Sequence, residues 1–145
     1  MIKVLFVCHG NICRSPMGEF MLKDMVKKAG VEDQFEIASA AVSTDEIGNP
    51  VYPPARRELA KHGIHCAGKT ARQITQRDLD YYDKIYYMDD HNWNWLNWHF
   101  GDKAKKCQKL LLRDVADPWY TDNFERTWFD LQEGCRKILE ECGVC

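Results

Sequence analysis

From Ile2 to Val7 nearly every position is apolar, with Ile, Val and Phe prominent. That is the pattern of a strand covered on both faces, as in a parallel sheet. The run breaks at Cys8-His9-Gly10-Asn11-Ile12-Cys13-Arg14, a turn-like segment. The period then changes. Gly18, Met21, Leu22, Met25, Val26 and Ala29 recur at offsets of 3, 4, 7, 8 and 11, the apolar stripe of a helix, with Glu19, Lys23, Lys27 and Lys28 on its other side. Ser15 reads as the N-cap, Pro16 as the first helical residue and Gly30 as the stop.

Phe35 to Ala40 predicts a second strand. Gly and Pro punctuate Ser43 to Pro53, which predicts a loop, followed by a helix from Pro54 to His62 that Gly63 ends. Thr75 with Asp78 predicts a helix start leading to Tyr82, Lys84 to Met88 a third strand, and Asp90 to His99 a short aromatic-rich helix. Cys107 to Leu112 reads as a fourth strand. Beyond a loop holding Asp117-Pro118-Trp119-Tyr120, Asp122 would cap a last helix with Phe124, Trp128, Leu131, Cys135, Ile138 and Cys142 as its buried stripe. Strands alternating with helices predict an α/β fold with a doubly wound sheet of four parallel strands and helices on both faces. In such sheets ligands bind beyond the carboxyl ends of the strands. The Cys8 turn follows the first strand and the Asp117 loop follows the fourth, so both belong to that edge.

The 145 residues suit one domain, residues 1–145, with a core that needs no crosslinks. A net charge of -2 provides no basic footprint for nucleic acid. No apolar run approaches the roughly 20 residues of a membrane span, and the N-terminus does not read as a signal peptide, so a cytoplasmic location is expected. Seven cysteines is an odd number, and without export most should be free thiols. One of them becomes a candidate reactive group.

A Cys followed six positions later by Arg occurs more than once, at Cys8/Arg14 and at Cys66/Arg72 among others, so that spacing alone is not specific. Gly63 to Thr70 also matches the nucleotide-binding pattern G-x-x-x-x-G-K-[ST], with Asp89 at a strand end as a magnesium-holding acid. A phosphate cradle needs a strand feeding a loop that opens a helix, because only then do N–H groups and the helix dipole converge on the anion. Gly63 follows a charged helical stretch instead. The Cys8 turn has the strand before it and the helix after it.

Such a turn can aim successive N–H groups at a tetrahedral dianion, with Gly10 and Asn11 as residue types that tolerate left-handed backbone. Arg14 supplies a planar fork for two phosphate oxygens. The helix N-terminus, the N–H groups, Arg14 and the Ser15 hydroxyl favour thiolate over thiol at Cys8. A proton donor is still needed for the leaving oxygen, and Asp117, held extended by Pro118, fits on position; Asp114 is the second choice. Cys8 would attack phosphorus while Asp117 protonates the leaving group, and Asp117 would then activate water against the phosphocysteine. No metal or cofactor is required.

The run Val7-Cys8-His9-Gly10-Asn11-Ile12-Cys13-Arg14-Ser15-Pro16 resembles the signature of the low-molecular-weight protein tyrosine phosphatases. The likeness continues in Ser39-Ala40-Ala41, Glu46-Ile47-Gly48-Asn49-Pro50, His62-Gly63-Ile64, Ala71-Arg72-Gln73-Ile74-Thr75, Met88-Asp89 with Asn92, and Asp117-Pro118. It implies a flavodoxin-like sheet and phosphotyrosine proteins or peptides as substrates. It makes Cys8, Arg14 and Asp117 catalytic, and His9, Gly10, Asn11, Ile12, Cys13 and Ser15 phosphate-binding, with Asn11, Ser15 and Ser39 shaping the turn. Asp45, Glu46, Trp119 and Tyr120 would form the substrate pocket, the two aromatic residues being suited to sandwich a phenyl ring. The resemblance also implies a reversible Cys8–Cys13 disulfide and a thiol reductant to open it.

Two related groups share the turn. Arsenate reductases need a further cysteine pair near the third strand, and residues 76–94 contain no Cys. Arginine phosphatases carry Thr in place of Ile12. This chain departs from the family at His9, usually apolar or Thr, at Asp45, often aromatic, and at Lys69, often His, which would pair with Asp89.

Other features carry blander readings. Trp93, Trp95, Trp98 and Phe100 read as packing rather than a stacking platform, and His62, His65 and Cys66 as scattered surface residues rather than a metal site. Cys142 and Cys145 form an incidental pair at the C-terminus.

Overall fold

Alternate residues of the first strand enter two different cores. A computed structural model describes residues 1–144, with β1 at Ile2–Cys8, α1 at Arg14–Lys28, β2 at Phe35–Ala41 and α2 at Pro53–Lys61. They are followed by α3 at Gln76–Tyr81, β3 at Lys84–Tyr87, α4 at Asp90–Phe100, β4 at Cys107–Lys109, α5 at Pro118–Thr121 and α6 at Phe124–Glu141. Val4, Phe6 and Cys8 face a core built with Met17, Met21 and Leu22 of α1, Leu59 of α2 and Leu131, Cys135 and Ile138 of α6. Leu5 and Val7 point the other way, into a core with Leu79 of α3, Ile85 of β3 and Leu96 of α4. The apolar run in β1 therefore reflects a strand buried on both sides.

The sheet runs β2-β1-β3-β4, and every pairing is parallel. With helices on both faces this is the flavodoxin-like arrangement expected. β1 is central and its carboxyl end lies next to the β3 end, where the connections diverge to opposite faces. The outer edges differ. β4 is three residues long, whereas the β2 edge is covered near its end, where Ala41 bonds to Arg72 and Ile74.

Several boundaries differ from expectation. α1 begins at Arg14, with Cys13 in the N-cap position and no side-chain cap; Ser15 sits inside the first turn because its hydroxyl is engaged with Cys8 and Asn11. Glu19 is buried and Ala29 exposed, since the helix turns Glu19 toward the Ser39 hydroxyl. β4 stops before Leu112, which is fully exposed. Asp122 adopts a left-handed conformation after the single turn of α5, and Asn123 caps α6 through Arg126 N. α5 falls where a loop was predicted: Asp117 caps it and Pro118 starts it.

Trp93, Trp95 and Phe100 pack on the second core, while Trp98 is exposed. His62 stacks on Trp128 at 3.5 Å. Cys66 is buried rather than superficial. Six cysteines are free thiols among the described residues, and burial pushes the Cys135 thiol up to about 12. Cys145, half of the C-terminal pair, lies outside the described residues. Among those residues no helix is long and apolar enough to cross a membrane.

Gly134 of α6 sits against Leu110, where a Cβ would lie 2.5 Å from the Leu110 Cγ. Helix propensity alone favours Gly134→Ala by up to about 1 kcal/mol. The clash should reverse the sign, and urea unfolding should show a loss of about 1–3 kcal/mol.

Candidate active site

The turn after β1 is held by both its backbone and its side chains. Val42 N donates to Cys8 O at 2.9 Å, Ser43 N to His9 O at 3.1 Å and Tyr52 N to Ile12 O at 2.9 Å, so the chain after β2 clasps the turn. Asn11 has φ 60, left-handed backbone that Asn accepts more readily than most residues. Gly10 is not left-handed, contrary to expectation. Its lack of a side chain serves space, because a Cβ there would stand 3.3 Å from Glu46 Cγ.

Cys8 is 3% exposed. Its Sγ lies 3.0 Å from Ser15 Oγ and receives Ser15 N–H at 3.4 Å. The hydroxyl hydrogen can be placed by following its neighbours. Glu19, as a carboxylate, only accepts, and Ser39 Oγ donates to its Oε1 at 2.6 Å. Ser39 Oγ in turn accepts from Asn11 Nδ2 at 2.9 Å, and the second Nδ2 hydrogen goes to Ser15 Oγ at 2.7 Å. Arg72 N donates to Asn11 Oδ1 at 3.2 Å, which fixes the amide orientation. Ser15 therefore keeps its own hydrogen, which has Cys8 Sγ at 3.0 Å and the Ala40 carbonyl at 3.5 Å as acceptors; given to the nearer sulfur, it joins the Ser15 N–H in stabilising negative charge there.

Lys23 donates to Glu19 at 2.6 Å, and Lys69 approaches it at 3.9 Å while donating to Ser39 O at 3.1 Å. Lys69 thus pairs with Glu19, not with Asp89 as expected. Its segment cannot serve as the alternative nucleotide loop: Gly63 is left-handed just past α2, and no helix opens at Lys69 and Thr70, the next one starting only at Gln76. Arg72, the partner of Cys66 in the second matching spacing, is bonded to Asp78 at 2.9 Å and 3.1 Å.

Arg14 is 2% exposed. One guanidinium nitrogen donates to Asp89 Oδ2 at 2.7 Å and to Val115 O at 2.8 Å. The other reaches Asp117 Oδ2 at 3.4 Å. Burial alone would push this guanidinium down, but Cys8, Asp89 and Asp117 outweigh it and push it up. Asp89 was not foreseen in this role. It also caps α4 through Asn92 N at 2.8 Å, and the Asp89/Asn92 spacing beyond a strand end was the available signal. Burial raises its carboxyl, yet the Arg14 charge and hydrogen bond more than offset this and hold it below the ordinary value. Asp117 Oδ1 accepts from Trp119 N at 3.0 Å. Asp114 pairs with Lys109 at 2.6 Å and does not line the cavity.

That cavity, about 280 Å³, is lined by Cys8, His9, Gly10, Ile12, Cys13, Arg14, Asp45, Glu46, Asp117, Trp119 and Tyr120. Asn11 and Ser15 stand behind it. Burial, reinforced by Cys8, pushes the Cys13 thiol far up. Among the described residues no group of three or more His, Cys, Asp or Glu is arranged to hold a metal ion.

The fold and site define a class, a phosphoric monoester hydrolase on a flavodoxin-like sheet. Residues 3–143 match the low molecular weight phosphotyrosine protein phosphatase family, and the chain belongs to it. It is 40% identical to the low molecular weight protein-tyrosine-phosphatase YfkJ of Bacillus subtilis, over 96% of this chain and 94% of that one. It is 38% identical to the low molecular weight phosphotyrosine protein phosphatase of Rattus norvegicus, over 95% and 94%. The crystal structure of YfkJ superposes with a TM-score of 0.93 at 39% identity, over 97% of this chain and 94% of that one.

Asp89→Asn keeps a capping oxygen but removes the charge facing Arg14. Activity should fall about tenfold or more. Because the folded carboxyl is depressed, its stabilisation is full above the unfolded value near 3.9 and disappears as pH falls through the lower folded value. The wild-type advantage in urea midpoint over this variant should hold from about pH 8 to 5 and shrink below about 4.

Proposed function

We propose that residues 1–145 act as one catalytic domain that hydrolyses phosphotyrosine in proteins or peptides through a phosphocysteine. The observation that carries the reading is the convergence of Cys8, Arg14 and Asp117, from three separate segments, on one cavity. Cys8 is the nucleophile. Its sulfur attacks phosphorus in line as the phosphorus–oxygen bond of the leaving phenol breaks. Asp117 gives its proton to that oxygen, and the resulting carboxylate then takes a proton from water as the water displaces Cys8 and releases phosphate.

Arg14 has one nitrogen committed to Asp89 and Val115, which leaves the rest of its fork for phosphate oxygens. The backbone N–H groups from His9 to Ser15 complete the cradle at the start of α1. Trp119 and Tyr120 line the cavity together with Asp45 and Glu46 and offer aromatic faces to a phenyl ring. The relatives at 38–40% identity bear tyrosine phosphatase names, which supports this reading over the arginine phosphatase and arsenate reductase alternatives.

A cytoplasmic setting agrees with six free thiols among the described residues. Cys13 shares the cavity with Cys8. When an oxidant converts Cys8 to a sulfenic acid, the Cys13 sulfur would displace water from it, and a thiol reductant would reopen the disulfide by exchange.

Aryl phosphate hydrolysis should proceed in EDTA and should fall at least about 10³-fold in Cys8→Ser while phosphate or vanadate binding persists. Retained turnover in that variant would remove Cys8 from the mechanism. Asp117→Ala should slow hydrolysis about 10²–10⁴-fold for poor leaving groups and much less for good ones; an equal loss across leaving groups would move the acid role elsewhere.

A further inference from the structure

The second residue of the turn is His9, and it reaches sideways along the cavity wall. Its Nε2 lies 2.8 Å from Asp45 Oδ2. A carboxylate only accepts, so Nε2 carries the hydrogen and orients Asp45. The His9 backbone is fixed as well, since its carbonyl accepts from Ser43 N at 3.1 Å and from Ser43 Oγ at 2.9 Å. On its far side the ring packs against His91 of α4 at 5.6 Å. Asp45 is thereby held at the mouth with 65% of its side chain exposed, one oxygen taken by His9 and the other left for a partner from outside.

The charges around that mouth are one-sided. Asp45 and Glu46 line it, and no Lys does. The cation lining it is Arg14, which is buried at the floor and bonded to Asp89, Val115 and Asp117. The same lining includes the exposed rings of Trp119 and Tyr120. A carboxylate and aromatic faces share one preference in a ligand, a positive charge. A residue one or two positions from phosphotyrosine in an extended peptide lies within about 7 Å of it, so a Lys or Arg stem there can reach the rim while the phosphate occupies the floor.

We propose that the His9–Asp45 wall makes phosphotyrosine flanked by a basic side chain the preferred substrate class, with Asp45 as the specificity-determining contact and His9 as its positioning residue. This rests on the phosphotyrosine reading above and adds to it the chemistry of the neighbouring residue. An acidic neighbour meets two carboxylates; a basic one meets those carboxylates and two rings.

The test uses three phosphotyrosine peptides that differ only in flanking Arg, Ala or Glu, alongside a small aryl phosphate. In the wild type kcat/KM should fall in the order Arg, Ala, Glu, with about tenfold between the extremes at low salt, compressing as salt rises. Asp45→Lys should invert the order, which a loss of folding cannot do. His9→Gln, which retains a side-chain donor, should keep most of the discrimination that His9→Leu loses. Equal rates on the three peptides with normal aryl phosphate hydrolysis would overturn this inference alone, as would an unchanged order in Asp45→Lys. Equal losses in the two His9 variants would overturn the positioning role. No hydrolysis of any of these compounds by the wild type would overturn the phosphotyrosine reading and this inference with it.

Discussion

A buried carboxylate can accept hydrogen bonds but not give them, and that one-way character of Glu19 sets the direction of the hydrogens that run from Asn11 and Ser39 between it and Ser15. Ser39 must donate toward Glu19, Asn11 must donate to both serines, and Ser15 keeps its own hydrogen, with the sulfur as the nearer of its two acceptors. Lys23 and Lys69 approach the same carboxylate from the other end, at 2.6 Å and 3.9 Å. The row also ties α1 to β2 and the turn to the segment around Arg72, so the shape of the anion cradle and the state of its sulfur have a common support.

Arg14 is supported from the opposite side. Asp89 at the end of β3 and the Val115 carbonyl beyond β4 hold one nitrogen of the guanidinium, while Glu19 and Ser39 work from α1 and β2. The sheet order places these supports on either flank of β1. Nucleophile and cation are thus fixed by separate partners, and each can be perturbed without dismantling the other.

Much of this was legible in the chain. β1, the turn and α1 could be read because a two-sided apolar run, a short polar segment and a helical stripe follow one another locally. That Cys8, Arg14 and Asp117 would meet at one cavity followed from the same logic of strand ends. Glu19 was assigned to a solvated face because a helical wheel scores it as polar; its burial depends on Ser39, twenty positions away, which local periodicity cannot see. Asp89 was misassigned for the same reason, since pairing with Lys69 and pairing with Arg14 are equally consistent with sequence. β4 was overextended because Leu110, Leu111 and Leu112 continue its apolar run, although the strand ends at Lys109 and the first two leucines are buried beyond it. Gly10 was given a conformational reason when its reason is the nearness of Glu46.

The two outer edges of the sheet carry a consequence for the crowded solution in which such a chain works. An unpaired ladder invites a second molecule to extend it, the first step toward fibrous aggregates. Here β4 offers only three residues of ladder, and the end of β2 is already occupied by the chain from Arg72 to Ile74. The almost wholly apolar strand that raises Cys8 to the carboxyl edge lies between two others, so its own ladder is never offered to a second molecule.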